Sequence, residues 1–273
     1  MTDNWSTGYV ELPELKIHYY RAGGDKSPLV LSHGFTDNGL CWTPLARKLS
    51  ADYDVIMYDT RGHGLSDCVI PQGDIFQHLA ADLAGLIQAL KLEKPRIIGH
   101  SLGAATAAVA AANYPELVRC AVLEDPPWRA SEAGETGQER RAAMQQWHTD
   151  AVSHQTKRPQ DLVALCRSQH PRWSEDECQP WANSKLQLNL RIFEFFDTPP
   201  GPWQDVVRRI ACPVLLVTGD PELGAIVTPD IAEESVSICN DIQVTHLPGA
   251  GHNIRREQFG PYVEQVTAFL ART

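Results

Sequence analysis

The residues best suited to covalent chemistry lie in Gly99-His100-Ser101-Leu102-Gly103, a G-x-S-x-G pentapeptide. It follows an apolar run at 96–98 and precedes a small-residue stretch at 102–113, so a strand should turn directly into a helix at the serine. Such a turn lifts the hydroxyl above the sheet edge and sets it before a helix N-terminus, where developing negative charge is favoured. A serine hydroxyl needs a base. Of ten histidines, His252 is the candidate, because Leu247-Pro248-Gly249-Ala250-Gly251 carries it out of the last strand and onto the same sheet edge. A tetrahedral oxyanion needs two donors. The Leu102 N–H, directly after the serine, is one. The Phe35 N–H in His33-Gly34-Phe35 is the other, since that loop follows the first parallel strand and Gly34 lets its backbone approach. His33 reads as a hydrogen-bonding loop residue, and His100 as a residue that shapes the pocket beside the serine.

These groups require a scaffold that brings strand ends together. Strand-like runs occur at 10–12, 15–20, 29–31, 55–57, 96–98, 121–123, 214–217 and 242–244. The first two read as an antiparallel pair around Pro13-Glu14. Helical patterns separate the later runs: 76–90, with Leu79, Leu83, Leu86, Ile87 and Leu90 on one stripe, then 102–113, 229–236 and 257–270. Alternation of this kind indicates an α/β fold. It is interrupted at 128–205, which has no strand-like run and holds Trp128, Trp147, Trp173, Trp181, Phe193, Phe195, Phe196 and Trp203. We read 1–127 and 206–273 as the core and 128–205 as a helical insertion. Its aromatics either glue the inserted helices together or line a ligand pocket; Trp128 is taken as a substrate contact.

Taken together, the His33-Gly34-Phe35 loop, Asp59-Thr60-Arg61-Gly62-His63-Gly64-Leu65-Ser66, the Ser101 turn and Pro248-Gly249-Ala250-Gly251-His252 resemble the α/β-hydrolase superfamily over nearly the whole chain. The resemblance implies an eight-stranded, mostly parallel sheet with helices on both faces and a helical cap after the sixth strand. It also implies that Asp59 and His63 are structural. Family members carry the acid of a Ser-His-acid triad after either of two strands. After the seventh, the chain reads Gly219-Asp220-Pro221-Glu222, with Glu222 at the family's offset and Asp220 early. After the sixth, it reads Glu124-Asp125-Pro126-Pro127, which places a short carboxylate on a turn that proline stiffens. An acid that orients histidine must be held firmly, so Asp125 is preferred and Glu222 is the alternative. The sixth-strand position resembles capped lactone, ester and amide hydrolases.

Composition narrows the function further. Lys plus Arg number 24 against 34 Asp plus Glu, a net charge of −10, which disfavours nucleic acid and anionic membranes as partners. There is no signal-like N-terminus and no apolar run long enough to span a bilayer. The seven scattered cysteines suit a reducing compartment, with cytoplasm as the default. Cys166, His170 and Cys178 lack metal-ligand spacing, so no metal and no cofactor is expected. Arg255 and Arg256 read as a solvated pair at a helix start, with one of them reaching a substrate carboxylate as the alternative. The expected activity is hydrolysis of a small, fairly apolar carbonyl substrate, an ester or lactone first and an amide or carbon–carbon bond next, by a monomer or homodimer. A cofactor-free haloperoxidase or perhydrolase uses the same residues, and a non-enzymatic small-molecule receptor of the same fold is the rival outside catalysis.

Overall fold

The computed structural model describes residues 5–129, 137–197 and 200–273, without the side chains of 137–140 and 196–197. Eight strands form one sheet: β1 (Ser6–Glu11), β2 (Lys16–Ala22), β3 (Ser27–Ser32), β4 (Tyr53–Tyr58), β5 (Arg96–His100), β6 (Cys120–Glu124), β7 (Val214–Thr218) and β8 (Ile242–His246). Their spatial order is β1-β2-β4-β3-β5-β6-β7-β8. β2 runs antiparallel to both neighbours, and every other pairing is parallel. All eight runs read from the sequence correspond to strands, with ends shifted by up to a few residues; Leu12 and Leu15 fall outside β1 and β2.

The central strands are apolar on both faces because helices cover both. Leu29, Val30 and Leu31 are fully buried, and side chains from alternate positions feed two separate cores. Each such side chain contributes about 1.5–3 kcal/mol relative to exposure. The helices are α1 (Thr43–Leu49), α2 (Ile75–Ala89), α3 (Leu102–Asn113), α4 (Gly137–Gln155), α5 (Pro159–Gln169), α6 (Glu175–Gln187), α7 (Trp203–Val207), α8 (Pro229–Ile238), α9 (Ile254–Glu257) and α10 (Phe259–Leu270). The Asp74 side chain caps α2 by accepting from Phe76 N at 2.9 Å. α3 packs on β5 and β6, and its alanines from Ala104 to Ala112 are all buried, which lets helix and sheet approach closely. The helix expected at 257–270 is broken at Gln258 into α9 and α10.

Between β6 and β7 the described residues contain α4 to α7 and a 3-10 segment at Leu190–Asp197, with no strand. Their aromatics divide between the two readings. Trp147, Trp173 and Trp181 line a cavity, whereas Phe195 joins an internal apolar cluster. Phe196 lies where side chains are not described. No helix among the described residues is long and apolar enough to cross a membrane.

Candidate active site

Ser101 occupies the turn between β5 and α3 with φ of 53° and ψ of −115°. That conformation costs about 1–3 kcal/mol in a residue with a side chain, and the surroundings must enforce it. They do so through backbone contacts. A Cβ on Gly103 would lie 2.0 Å from the Ser32 carbonyl oxygen, so helix and β3 meet only because residue 103 has no side chain. The Ser101 N–H donates to the Glu124 carbonyl at 2.9 Å, which ties the turn to the end of β6. The Asp125 N–H in turn donates to the Val217 carbonyl at 3.0 Å. Three adjacent strand ends thus fix where Ser101 and Asp125 stand.

Asp125 is fully buried and also has a positive φ, 44°. One carboxylate oxygen, Oδ2, lies 2.6 Å from His252 Nδ1. The carboxylate also accepts from the Ile226 N–H, at 3.0 Å to Oδ1 and 2.8 Å to Oδ2, and from the Val227 N–H at 2.9 Å. A carboxylate held by peptide donors cannot rotate away from the imidazole. Because it only accepts, it requires the proton on His252 Nδ1 and leaves Nε2 with its lone pair.

The other two carboxylates sit elsewhere. Glu222 is exposed on a 3-10 turn. Asp220 braces its own loop, accepting from His246 Nε2 at 2.9 Å and from the Gly249 N–H at 2.7 Å.

Ser101, Leu102, Phe35, His100 and His252 all line one cavity of about 630 Å³. No hydrogen bond joins Ser101 Oγ to His252 among the described residues; such bonds commonly form only when substrate engages. The Phe35 loop abuts the serine, since a Cβ on Gly34 would lie 3.3 Å from Ser101 Cβ and 2.7 Å from His100 Nδ1. Leu102 is the first residue of α3, where a backbone N–H has no helical acceptor.

His100 donates from Nε2 to the His252 carbonyl at 2.9 Å, and its ring packs on that of His252 at 4.8 Å. Burial, and then the nearby His252, hold its pKa well below the usual imidazole range. His33 accepts from the Thr60 N–H at 3.0 Å and bonds the Gly34 carbonyl at 2.9 Å, so it ties two loops together. Asp59 accepts from Gly39 N, Leu65 N and His18 Nδ1, and His63 bonds Thr60 and Arg61. Both lie away from the cavity wall.

Two expectations require correction. Trp128 does not line the cavity. It is buried and stacks on Trp203, with ring centres 5.1 Å apart, as part of the core. Arg255 and Arg256 are not solvated: both are buried. Arg255 pairs with Glu124 at 3.4 Å and Arg256 with Asp37 at 3.0 Å. Their partners are supplied by distant segments, so local sequence gave no sign of the burial. Asp37, His154, His170, Lys185 and Arg256 all reach the cavity wall, and of these the sequence offers only Arg256, as the lesser alternative for a substrate carboxylate. A lysine and an arginine at those positions read as surface charge until the fold delivers Asp37 and Glu177 to them.

Comparison with known proteins agrees with this architecture. A family model described as "alpha/beta hydrolase fold" matches residues 27–255. The N-formylmaleamate deformylase of Pseudomonas putida is 29% identical over 90% of each chain. The 2-(acetamidomethylene)succinate hydrolase of Mesorhizobium japonicum is 29% identical over 98% of this chain and 96% of its own. A crystal structure of E-2-(acetamidomethylene)succinate hydrolase superimposes with a TM-score of 0.75 at 22% identity, over 98% of this chain and 100% of that one. The protein belongs to the alpha/beta hydrolase fold family.

Proposed function

We propose that this enzyme is a serine hydrolase that cleaves the carbonyl–heteroatom bond of a small ester, lactone or amide through an acyl-enzyme. Ser101 Oγ attacks the carbonyl while His252 Nε2 takes its proton. The oxyanion is held by the Phe35 and Leu102 amides. His252 then protonates the leaving group and afterwards activates water to release the acid product. Asp125 keeps His252 in the required tautomer and stabilises the imidazolium. Residues 128–205 act as the cap that closes the cavity over the core formed by 1–127 and 206–273.

The observation that carries this reading is the 2.6 Å Asp125–His252 contact at the wall of the cavity that also holds Ser101 in its strained turn. The two curated relatives are named as a deformylase and a hydrolase, which favours attack on a carbonyl. The test is pre-steady-state hydrolysis of p-nitrophenyl esters. A burst approaching one p-nitrophenol per active enzyme, absent in Ser101→Ala, supports an acyl-enzyme. Equal turnover by the wild type and Ser101→Ala contradicts it.

A further inference from the structure

The cavity has a second wall, chemically unlike the one at Ser101. Part of the lining is apolar, including Phe35, Ile75, Phe76, Leu102 and Ile226. His154 of α4, His170 just beyond α5, Lys185 of α6 and Arg256 of α9 also line it, grouped on two tryptophans. The His170 ring stacks on Trp173 at 3.9 Å, and Arg256 Cζ lies 4.4 Å from the centre of the same indole. His154 meets Trp181 edge-on at 5.6 Å, and Lys185 Nζ lies 5.0 Å from that ring. Stacking of this kind fixes cations and imidazoles in place before a ligand arrives.

We propose that this wall receives a carboxylate of the substrate, through Arg256, His154, His170 and the Lys185 charge. The enzyme would thus act on acid-bearing esters, lactones or amides rather than neutral ones. The proposal rests on the serine-hydrolase reading above and names the substrate class of that same site.

Donor accounting supports it. Arg256 Nε donates to Glu177 at 3.0 Å, Nη1 to Asn253 at 3.1 Å and Nη2 to Asp37 at 3.0 Å. One N–H on each terminal nitrogen is left without an acceptor among the described residues. Each remaining N–H is a charged donor suited to a carboxylate oxygen.

Lys185 is different, because its Nζ is already shared among the Thr36 carbonyl, the Thr36 hydroxyl and Asp37. It contributes charge rather than a free donor. Of the nearby carboxylates, Asp37 and Asp150 also line the cavity. Both Asp37 oxygens are engaged by Lys185 and Arg256, and Glu177 is not part of the wall. Burial first, and then Lys185 or Arg256, push His154 and His170 below the usual imidazole range, and the neighbouring carboxylates weigh less. Both imidazoles are therefore neutral near pH 7, each with one N–H to give, in a field set by cations. A dianion such as phosphate would overload cations that already serve Asp37 and Glu177, so a monoanion is the fitting ligand.

The test compares p-nitrophenyl hemiesters of straight-chain dicarboxylic acids of several lengths with their methyl-capped diesters, corrected for spontaneous hydrolysis. At the length that spans the cavity, kcat/KM for the acid should exceed that of the capped ester by about tenfold or more. This ratio should fall towards one in Lys185→Met. It should also fall in His170→Phe, which keeps the stacked ring and removes the donor, so a folding defect in one variant leaves the other decisive. A ratio at or below one at every length, with Ser101 still labelled by a fluorophosphonate, overturns the carboxylate subsite and leaves the hydrolase reading standing. Failure to label and to hydrolyse either ester overturns the hydrolase reading instead. The subsite is then read by calorimetry with free adipate against its dimethyl ester. Binding of adipate alone, weakened in His170→Phe, supports it, and no preference for the diacid overturns it.

Discussion

Replacing Asp125 by asparagine changes one atom and separates the orienting role from the structural one. Asp125 serves three partners: the Ile226 and Val227 amides and His252 Nδ1. Asparagine cannot serve all three. If its NH2 faced the peptide donors, buried N–H groups would oppose each other, at about 1–3 kcal/mol for each bond lost. The favoured orientation keeps Oδ1 on the amides and turns NH2 towards His252. Nδ1 must then accept, the ring proton moves to Nε2, and the base is in the wrong tautomer. That change in a Ser-His-acid triad costs about 10⁴ in kcat, or about 5.4 kcal/mol of transition-state stabilisation at about 1.36 kcal/mol per factor of ten. Glu222→Gln touches an exposed side chain, where substitutions usually stay within about 0.5 kcal/mol, roughly a twofold change. The assay is kcat on an activated ester, with circular dichroism to confirm that both variants fold. An Asp125→Asn enzyme within tenfold of wild type, or a larger loss in Glu222→Gln, would refute the assignment of the acid.

Other perturbations follow from the same geometry. Gly103→Ala puts a methyl 2.0 Å from the Ser32 carbonyl, a backbone atom of a central strand, so soluble yield and thermal stability should collapse; a native-like Tm would show that β3 and α3 can separate. Ser101→Gly relieves the positive-φ strain that Ser101→Ala retains, and after the cost of glycine flexibility it should be the more stable variant by about 1 kcal/mol in urea unfolding. His33, His63 and His100 are buried and have lowered pKa values, chiefly through burial, so the unfolded chain binds protons at a higher pH than the folded one. Stability should therefore fall as pH drops below about 6.5, by up to about 1.4 kcal/mol per pH unit for each histidine; a flat profile from pH 7 to 5 would contradict it. Burial opposes the charge on Asp37, but Arg256, Lys185 and Arg255 outweigh it and hold its carboxyl well below the usual range. Its contribution is present above about pH 4 and lost as pH falls further, so the stability gap between wild type and Asp37→Asn should narrow between pH 5 and pH 3.

The legible and illegible parts of this protein differ in the range of the interactions behind them. Strands such as Leu29–Val30–Leu31 announce themselves because burial on both faces demands an unbroken apolar run, and Ser101 because its turn tolerates only Gly99 and Gly103 around it. Asp125 could be preferred because proline follows it, although the Ile226 and Val227 amides that hold it come from a segment about a hundred residues later. The cationic wall had no such local mark. Arg256 meets Asp37 across 219 positions and Lys185 meets the same Asp37 across 148, and Asp37 lies outside the motifs read from the sequence. Trp128 misled for the converse reason: its place at the start of the insertion suggested the pocket, but whether an indole faces a cavity or a second indole, here Trp203, is decided by tertiary packing.

The central claim is that Ser101 is an activated nucleophile. Intact mass after incubation with a fluorophosphonate tests it most directly, on wild type and on Ser101→Ala side by side. One adduct on the wild type and none on the variant is the predicted result. A folded wild-type protein that takes up no probe, or an adduct that persists in Ser101→Ala, would contradict it.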